Sequence, residues 1–437
     1  MIKKFKKVLI ANRGEIAIRI IRACHELGIS TIAIYTQEDE MSLFRTKADE
    51  AYMINSAGGP VQAYLDMDKI ISLALEKGAD AIHPGYGFLS ENAEFAKKCE
   101  EAGVTFIGPT HEMMEQMGDK IQSKKMASKV AVPTIPGVEK PITSNEEAIE
   151  FAKKAGYPIM LKAASGGGGR GMRIVREEKD LLKEYHSAVS ESTKAFGDGT
   201  IFIEKYLEDP KHVEVQVLGD KYGNVVHLYE RDCSIQRRNQ KVIEFSPSVF
   251  LTNEQRKAIC DDAIKLAKSV NYCSAGTMEF LIDKQGHHYF IEMNPRIQVE
   301  HTVTELVTGI DIVQAQILIA EGYALDSDAI QIHSQDEIST RGYAIQCRIT
   351  TENPKMHFMP DTGRIDVYRT ASGPGIRLDG GNGFTGSVIS PYYDSLLVKC
   401  SAYGRTFEET RRKAVRALKE TIISGVETNK DFLINVL

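Results

Sequence analysis

Two apolar-alternating runs with a short turn between them constrain this chain more than anything else in it. The first is Gly276-Thr277-Met278-Glu279-Phe280-Leu281-Ile282-Asp283, the second His287-His288-Tyr289-Phe290-Ile291-Glu292-Met293-Asn294, and Lys284-Gln285-Gly286 lies between. Apolar residues at every second place, broken by a glycine turn, predict a β-hairpin. With Gln285-Gly286 as a two-residue loop, Lys284 pairs with His287, Glu279 faces Glu292 and Thr277 faces Asn294. Side chains alternate along a strand, so Glu279, Glu292 and Asn294 share one face. Two carboxylates directly opposite repel, by about 4 kcal/mol at ~4 Å and an effective dielectric of about 20. A divalent cation removes the conflict. Mg²⁺ suits, because it takes one or two carboxylates and leaves its other positions to water and phosphate. A solvated strand face is the competing reading, and the hairpin alone leaves the two even. The next residues favour a site. Asn294, Arg296, Gln298 and Glu300 alternate with Pro295, Ile297 and Val299, which puts four polar groups on one side of an extended segment.

At 437 residues the chain is long for one core, so two or three domains are expected. The net charge is −6 and the basic residues are spread out, which argues against nucleic acid as a partner. No apolar run reaches membrane-spanning length. The basic start is followed by an apolar run too short for a signal peptide. Seven scattered cysteines without a Cys-x-x-Cys spacing imply reduced thiols and a cytoplasmic location.

In chain order, a strand at 7–11, a helix opening at Asn12-Arg13-Gly14-Glu15 and a strand at 30–35 form a β-α-β unit, hence a parallel sheet. Gly28 is its helix stop, and a Gly-x-Gly-x-x-Gly fingerprint is missing. His83-Pro84-Gly85-Tyr86-Gly87-Phe88-Leu89-Ser90-Glu91-Asn92 follows a strand, where open α/β sheets carry ligand sites, although taken by itself a plain tight turn is the favoured reading. Residues 135–203 form a small unit whose strands, 158–162 and 173–175, flank Ser165-Gly166-Gly167-Gly168-Gly169-Arg170-Gly171. No Walker Lys-Ser/Thr and no helix follow, so this is a strand–glycine–strand flap rather than a P-loop. Unhindered amides wrap anionic oxygens, and Lys162 at the base adds a point charge. We read a phosphate-covering lid. Further strands are expected at 201–207, 211–217 and 224–231, a polar loop at 232–241, and helices at 254–269 and 310–321. Short strands follow at 343–349, 363–368, 375–378 and 396–402, then a long helix at 406–424. Arg348, ending an apolar strand, is either a buried salt bridge or an anion clamp.

With these motifs in order, the whole chain resembles a biotin carboxylase of the ATP-grasp superfamily. The resemblance rests on Ile10-Ala11-Asn12-Arg13-Gly14-Glu15-Ile16-Ala17, the 83–92 loop, Met117-Gly118-Asp119-Lys120, the glycine flap, Glu230-Arg231-Asp232-Cys233-Ser234, residues 292–301 and Glu427-Thr428-Asn429. Leu378-Asp379-Gly380-Gly381-Asn382-Gly383-Phe384 and Pro391-Tyr392-Tyr393-Asp394-Ser395 look most like the pyruvate carboxylase type. Pro295, a threonine in acetyl-CoA carboxylase relatives, points the same way. The alternative is the component of an acetyl-CoA or other acyl-CoA carboxylase.

The resemblance implies a mixed α/β and α+β fold in three parts: an N-terminal α/β domain (1–113), an ATP-grasp domain (114–332) with a mobile glycine-rich lid (about 135–203), and a C-terminal β-rich domain (333–437). It implies ATP with Mg²⁺ (Mn²⁺ as substitute) and biotin presented on a carrier. Glu279, Glu292 and Asn294 would hold the metal. Lys120, Lys162, His212 and the flap amides of Gly167, Gly168 and Gly169 would contact phosphates. Glu204, Lys205, Leu207 and Leu281 would line the adenine pocket, with Gln236 near the ribose. Lys241, Arg296, Gln298 and the Val299 backbone would hold bicarbonate, Glu300 would be the general base, and Arg348 would stabilise the biotin enolate. Asn239 departs from the histidine of many relatives and cannot carry charge. Lys430-Asp431 also departs, and receives no role.

No Ala-Met-Lys-Met biotinylation signature occurs, so a carrier domain and a carboxyltransferase are expected in the same assembly, with the chain in a homodimer or larger oligomer. Tyr392-Tyr393-Asp394 is one candidate for an interface. A carbamoyl-phosphate or purine-pathway synthetase would share the lid and metal pair, but residues 296–301 with Arg348 oppose it. A regulatory nucleotide-binding module would need no base, and a scaffold subunit would need none of these groups.

Overall fold

A computed structural model describes residues 2–118, 120–138, 140–164, 171–196 and 198–437. Gly167, Gly168 and Gly169 lie outside the described residues, and the side chain of Lys120 is not among those described.

The N-terminal part is a five-stranded parallel sheet in the order Glu50–Met53, Ser30–Tyr35, Lys7–Ile10, Ala81–His83, Thr105–Phe106. Helix Gly14–Glu26 buries Ile16, Ala17, Ile20 and Ile21 along one stripe, the spacing a sheet-packed helix requires. Gly28 follows at φ +74° and ends it as expected. The lid unit is an antiparallel sheet of Met172–Val175, Ile159–Ala163 and Ile201–Lys205, covered by helices Asn145–Ala155 and Leu181–Phe196. The sequence reading assigned no element between 176 and 200. The signal was there, since Leu181, Tyr185 and Ala188 recur at helical spacing and are buried together.

The centre is one eight-stranded antiparallel sheet. Its order is His288–Asn294, Ser274–Ile282, Lys211–Gly219, Val225–Arg237, Gln240–Ser246, Tyr343–Thr350, Leu396–Gly404, Ile376–Gly380. Gln240–Ser246 pairs with Tyr343–Thr350 through Ile243↔Cys347 and Phe245↔Ile345, so the sheet runs without a break across residue 332.

Four expectations need correction. Residues 232–241 are not a loop, because two strands continue into a hairpin with Arg237 opposite Gln240. Arg238 and Asn239 turn it at φ +50° and +64°, a left-handed pair that asparagine tolerates. The stretch is polar because it faces a cleft, not because it is unstructured. The opening hairpin has a longer loop than expected: Asp283 pairs with His287 through a 3.0 Å amide bond, and a register shift between Glu279 and Phe280 restores Glu279 opposite Glu292. The pairing stands because two single-residue offsets cancel. Residues 296–300 are not an extended strand; they turn into helix His301–Thr308 with Glu300 at its N-cap. Helix Phe407–Glu420 stops short of 424, and Ile422–Ser424 pairs with Val367–Arg369 instead, which suits its β-branched Ile422-Ile423.

Helix Ile312–Glu321 follows Gly309 at φ +76°. Among the described residues no single helix is long and apolar enough to cross a membrane.

Candidate active site

The three parts enclose a cleft of about 1270 Å³. Strand Lys211–Gly219 explains its floor. The even positions His212, Glu214 and Gln216 point one way, and the register sets Leu281, Glu279 and Thr277 beside them. Glu292 then stands beside Glu279 on the next strand. Three carboxylates, Glu214, Glu279 and Glu292, therefore form a row across three strands.

Cations answer them. Lys241 Nζ donates to Glu214 (2.5 Å), Glu300 (2.7 Å) and Glu279 (3.0 Å). Arg231, fully buried, spends all its donors: on Glu214 (2.5 Å), Gln216 (2.7 Å), Gln298 (2.9 Å), Thr304 (3.0 Å) and Thr277 (3.1 Å). Arg348 donates to Glu300 at 3.0 Å and also to Glu244. It thus forms a half-buried salt bridge and also lines the cleft. Burial alone would raise the Glu300 carboxyl, but Lys241, Arg348 and Arg231 hold it well below the usual range. Burial likewise opposes Glu279, and Lys241 and His212 overcome it. Burial would depress the Lys241 ammonium, yet Glu214 and Glu300 push it well up.

Glu279 also accepts from Asn294 and Gln298, both at 2.9 Å, and from His212 Nε2 at 2.7 Å. The metal trio is therefore adjacent, and the hard-oxygen donors fit a divalent cation. Around the trio, Glu214, Glu244, Glu279 and Glu300 face Lys241, Arg231 and Arg348, with His212 against Glu279. His212, Glu214 and Glu279 also offer ligand atoms within 4.8 Å of one another.

Arg296 is held by Asn294 Oδ1 (3.0 Å) and Glu91 (2.7 Å) at the cleft edge. Gln298 and Val299 line the same wall. Lys162 and Lys124 both pair with Glu204, and they hold its carboxyl below the usual range although burial opposes them. Leu207, Gln236 and Leu281 line the cleft, with Gln236 Nε2 2.8 Å from His212 Nδ1. Lys205 also borders it, but its ammonium bonds Gly156 O (2.9 Å) and Tyr157 O (3.0 Å) inside the lid unit. Asn239 lines the cleft from its turn. Tyr393 packs against the N-terminal part, with Arg13 3.6 Å above its ring and its hydroxyl 2.6 Å from Thr36, while Tyr392 beside it is exposed.

Sequence reasoning missed Glu214, Glu244 and the part played by Arg231. Glu214 was findable, because it alternates with His212 on one strand face. Arg231 and Glu244 had no local signal, since their partners are distant in the chain.

Behind the 296–300 turn, the half-buried Arg377 pairs with the buried Asp379 at 2.7 Å. Burial opposes ionisation, but Lys399 and Arg377 pull the Asp379 carboxyl down to about 2. Its folded value is below its unfolded one, so its stabilisation is complete above about pH 4 and is lost as pH falls towards 2. Thermal melts from pH 5 to pH 2 are expected to fall less steeply in Asp379→Asn than in the parent; equal slopes would remove this assignment.

Three family models match the chain: biotin carboxylase N-terminal domain over residues 4–114, carbamoyl-phosphate synthase L chain ATP-binding domain over 119–328, and biotin carboxylase C-terminal domain over 346–437. Pyruvate carboxylase of Pichia angusta is 58% identical over 99% of this chain. The match spans 37% of that relative's own length. The biotin carboxylase domain of Hydrogenobacter thermophilus 2-oxoglutarate carboxylase, solved as a dimer with MgADP, ADP and bicarbonate, is 52% identical, with a TM-score of 0.91 over 99% of this chain and 94% of that one. The biotin carboxylase subunit of a pyruvate carboxylase gives 52% identity and a TM-score of 0.87 over the same shares.

Proposed function

The chain belongs to the biotin carboxylase family, and from that premise we propose that it carboxylates N1′ of carrier-borne biotin with ATP and bicarbonate. This is the first half-reaction of a biotin-dependent carboxylase, with pyruvate as the final acceptor. One observation carries the reading: a buried carboxylate, Glu300, lies between Lys241 and Arg348 on a turn that also bears Arg296 and Gln298. Anionic reactants need gathered cations, and deprotonation needs one carboxylate among them.

In this scheme a bicarbonate oxygen attacks the γ-phosphorus of ATP, ADP leaves, and the carboxyphosphate formed breaks down to CO₂ and phosphate. Lys241, Arg296, Gln298 and the Val299 amide hold bicarbonate, and Glu300 takes its proton. An anion that draws Lys241 and Arg348 away from Glu300 raises that carboxylate's proton affinity, as a base requires. Arg348 then stabilises the oxygen of biotin as N1′ loses its proton to the released phosphate and bonds the carbon of CO₂. Glu279, Glu292 and Asn294 would hold Mg²⁺, which when bound neutralises the ATP phosphate oxygens. Lys120, Lys162, His212 and the flap glycines contact those phosphates. Glu204, Lys205, Leu207 and Leu281 take adenine, and Gln236 faces the ribose.

We place the division at 1–113, 114–332 and 333–437. The partners are a carrier domain and a carboxyltransferase of the same assembly and a second copy of the chain. The compartment is the cytoplasm, in keeping with seven buried, unpaired cysteines. A 2-oxoglutarate acceptor is the second reading, favoured by the relative of that specificity noted above.

ATP turnover with Mg²⁺ should require bicarbonate and rise with free biotin. Turnover indifferent to bicarbonate would overturn the proposal. Arg348→Ala should lose biotin carboxylation, measured as ¹⁴C fixed from bicarbonate, and unchanged fixation would remove Arg348 from its role.

A further inference from the structure

We infer that Lys399 and His301 are positioning residues that set the backbone of the bicarbonate turn, by holding two successive carbonyls on the side away from the cleft. The inference rests on the proposed function of that turn and adds two groups to it.

Both side chains are fully buried. His301 Nδ1 lies 2.7 Å from the carbonyl oxygen of Gln298. Lys399 Nζ donates to the carbonyl oxygen of Val299 at 3.0 Å. A trans peptide is planar, with its N–H directed opposite to its C=O. Holding the Gln298 carbonyl therefore aims the Val299 N–H the other way, and holding the Val299 carbonyl does the same for the Glu300 N–H. Val299 and Glu300 both line the cleft. Two adjacent amides turned to one side form a concavity that binds anions. The same peptides carry the Gln298 and Glu300 side chains, so the clamp also fixes the amide and the carboxylate that flank Val299.

The chemistry of the two donors fits a fixed clamp. A carbonyl can only accept, so Nδ1 of His301 must carry the proton. Burial, reinforced by Lys399, Arg19 and Arg377, keeps the imidazole neutral, its affinity for a second proton well below the ordinary value. Lys399 Nζ also lies 3.0 Å from Glu15 Oε2. Glu15 in turn accepts from Tyr86 of the 83–92 loop. The clamp thus ties a helix of the N-terminal sheet and a strand from the C-terminal part to one turn of the ATP-grasp region.

Three variants of the whole chain test this: His301→Leu, which removes the donor; His301→Asn, which keeps an N–H near the place of Nδ1; and the double variant Glu15→Gln/Lys399→Met, which removes the clamp, neutralises its Glu15 partner and leaves Asp379 its bond to Arg377. KM is measured for bicarbonate and for MgATP separately, with thermal melts alongside. For His301→Leu and the double variant we expect the bicarbonate KM to rise about tenfold or more, from misplacement of the anion's donors, while the MgATP KM stays within about twofold. His301→Asn should recover most of the loss. Equal rises in both constants, an unchanged bicarbonate KM, or failure of all three variants to fold would overturn the inference and mark these groups as packing. Bicarbonate-independent turnover in the parent would instead overturn the functional reading, and this inference with it.

Discussion

Glu300→Gln should lower bicarbonate-dependent carboxylation of biotin by about 10²–10⁴-fold, the usual worth of a positioned general base. Glutamine keeps the size of the group and still accepts a hydrogen bond from Lys241 or Arg348. The variant therefore separates proton removal from packing. MgATP binding, measured by calorimetry, should change little, because Glu300 reaches the nucleotide side only through Lys241, which also bonds Glu214 and Glu279. In the free enzyme the Lys241, Arg348 and Arg231 charges hold the Glu300 carboxyl well below the usual range, so the acid limb of the parent's kcat/KM profile should not report its titration. A loss smaller than tenfold would mean that another group takes the proton.

The second large effect is on stability. Arg231→Met should cost about 3–5 kcal/mol in chemical denaturation, as removal of one partner from a buried ionic network does. Five acceptors, on Glu214, Gln216, Gln298, Thr304 and Thr277, would lose their donor where little water can reach. Lysine is no substitute, because it has three donors and no planar fork. Arg231→Lys should recover only part of the loss. A cost near 1 kcal/mol would show that the acceptors satisfy one another.

What could be read in advance followed from local rules. The parallel N-terminal sheet was legible because β-α-β spacing and a glycine stop are short-range signals. The pairing of Glu279 with Glu292 was legible because strand periodicity constrains register, even though the loop length was misjudged by one residue and a bulge compensated. Residues from several of the motifs that resemble biotin carboxylases, among them Arg13, Tyr86, Glu292, Arg296, Glu300 and Asn429, line one cleft. Strand and loop were confused at 232–241 because polarity was taken as a sign of solvent, and a cleft wall is polar too. Glu244, Arg231 and Lys399 stayed silent because their partners are distant in sequence: Arg348 is 104 residues from Glu244, and Val299 is 100 from Lys399. Only the folded register brings them together.

The sheet that crosses residue 332 limits how such a chain can be recombined. Its seam is the pairing of Gln240–Ser246 with Tyr343–Thr350, sealed by Ile243, Phe245, Ile345 and Cys347 in one core. A C-terminal piece separated at 332 would bare a long apolar edge, the kind that recruits foreign strands. A chimera built from two relatives must therefore exchange both sides of this seam together, whereas the lid unit, with a sheet and core of its own, can be exchanged as a cassette.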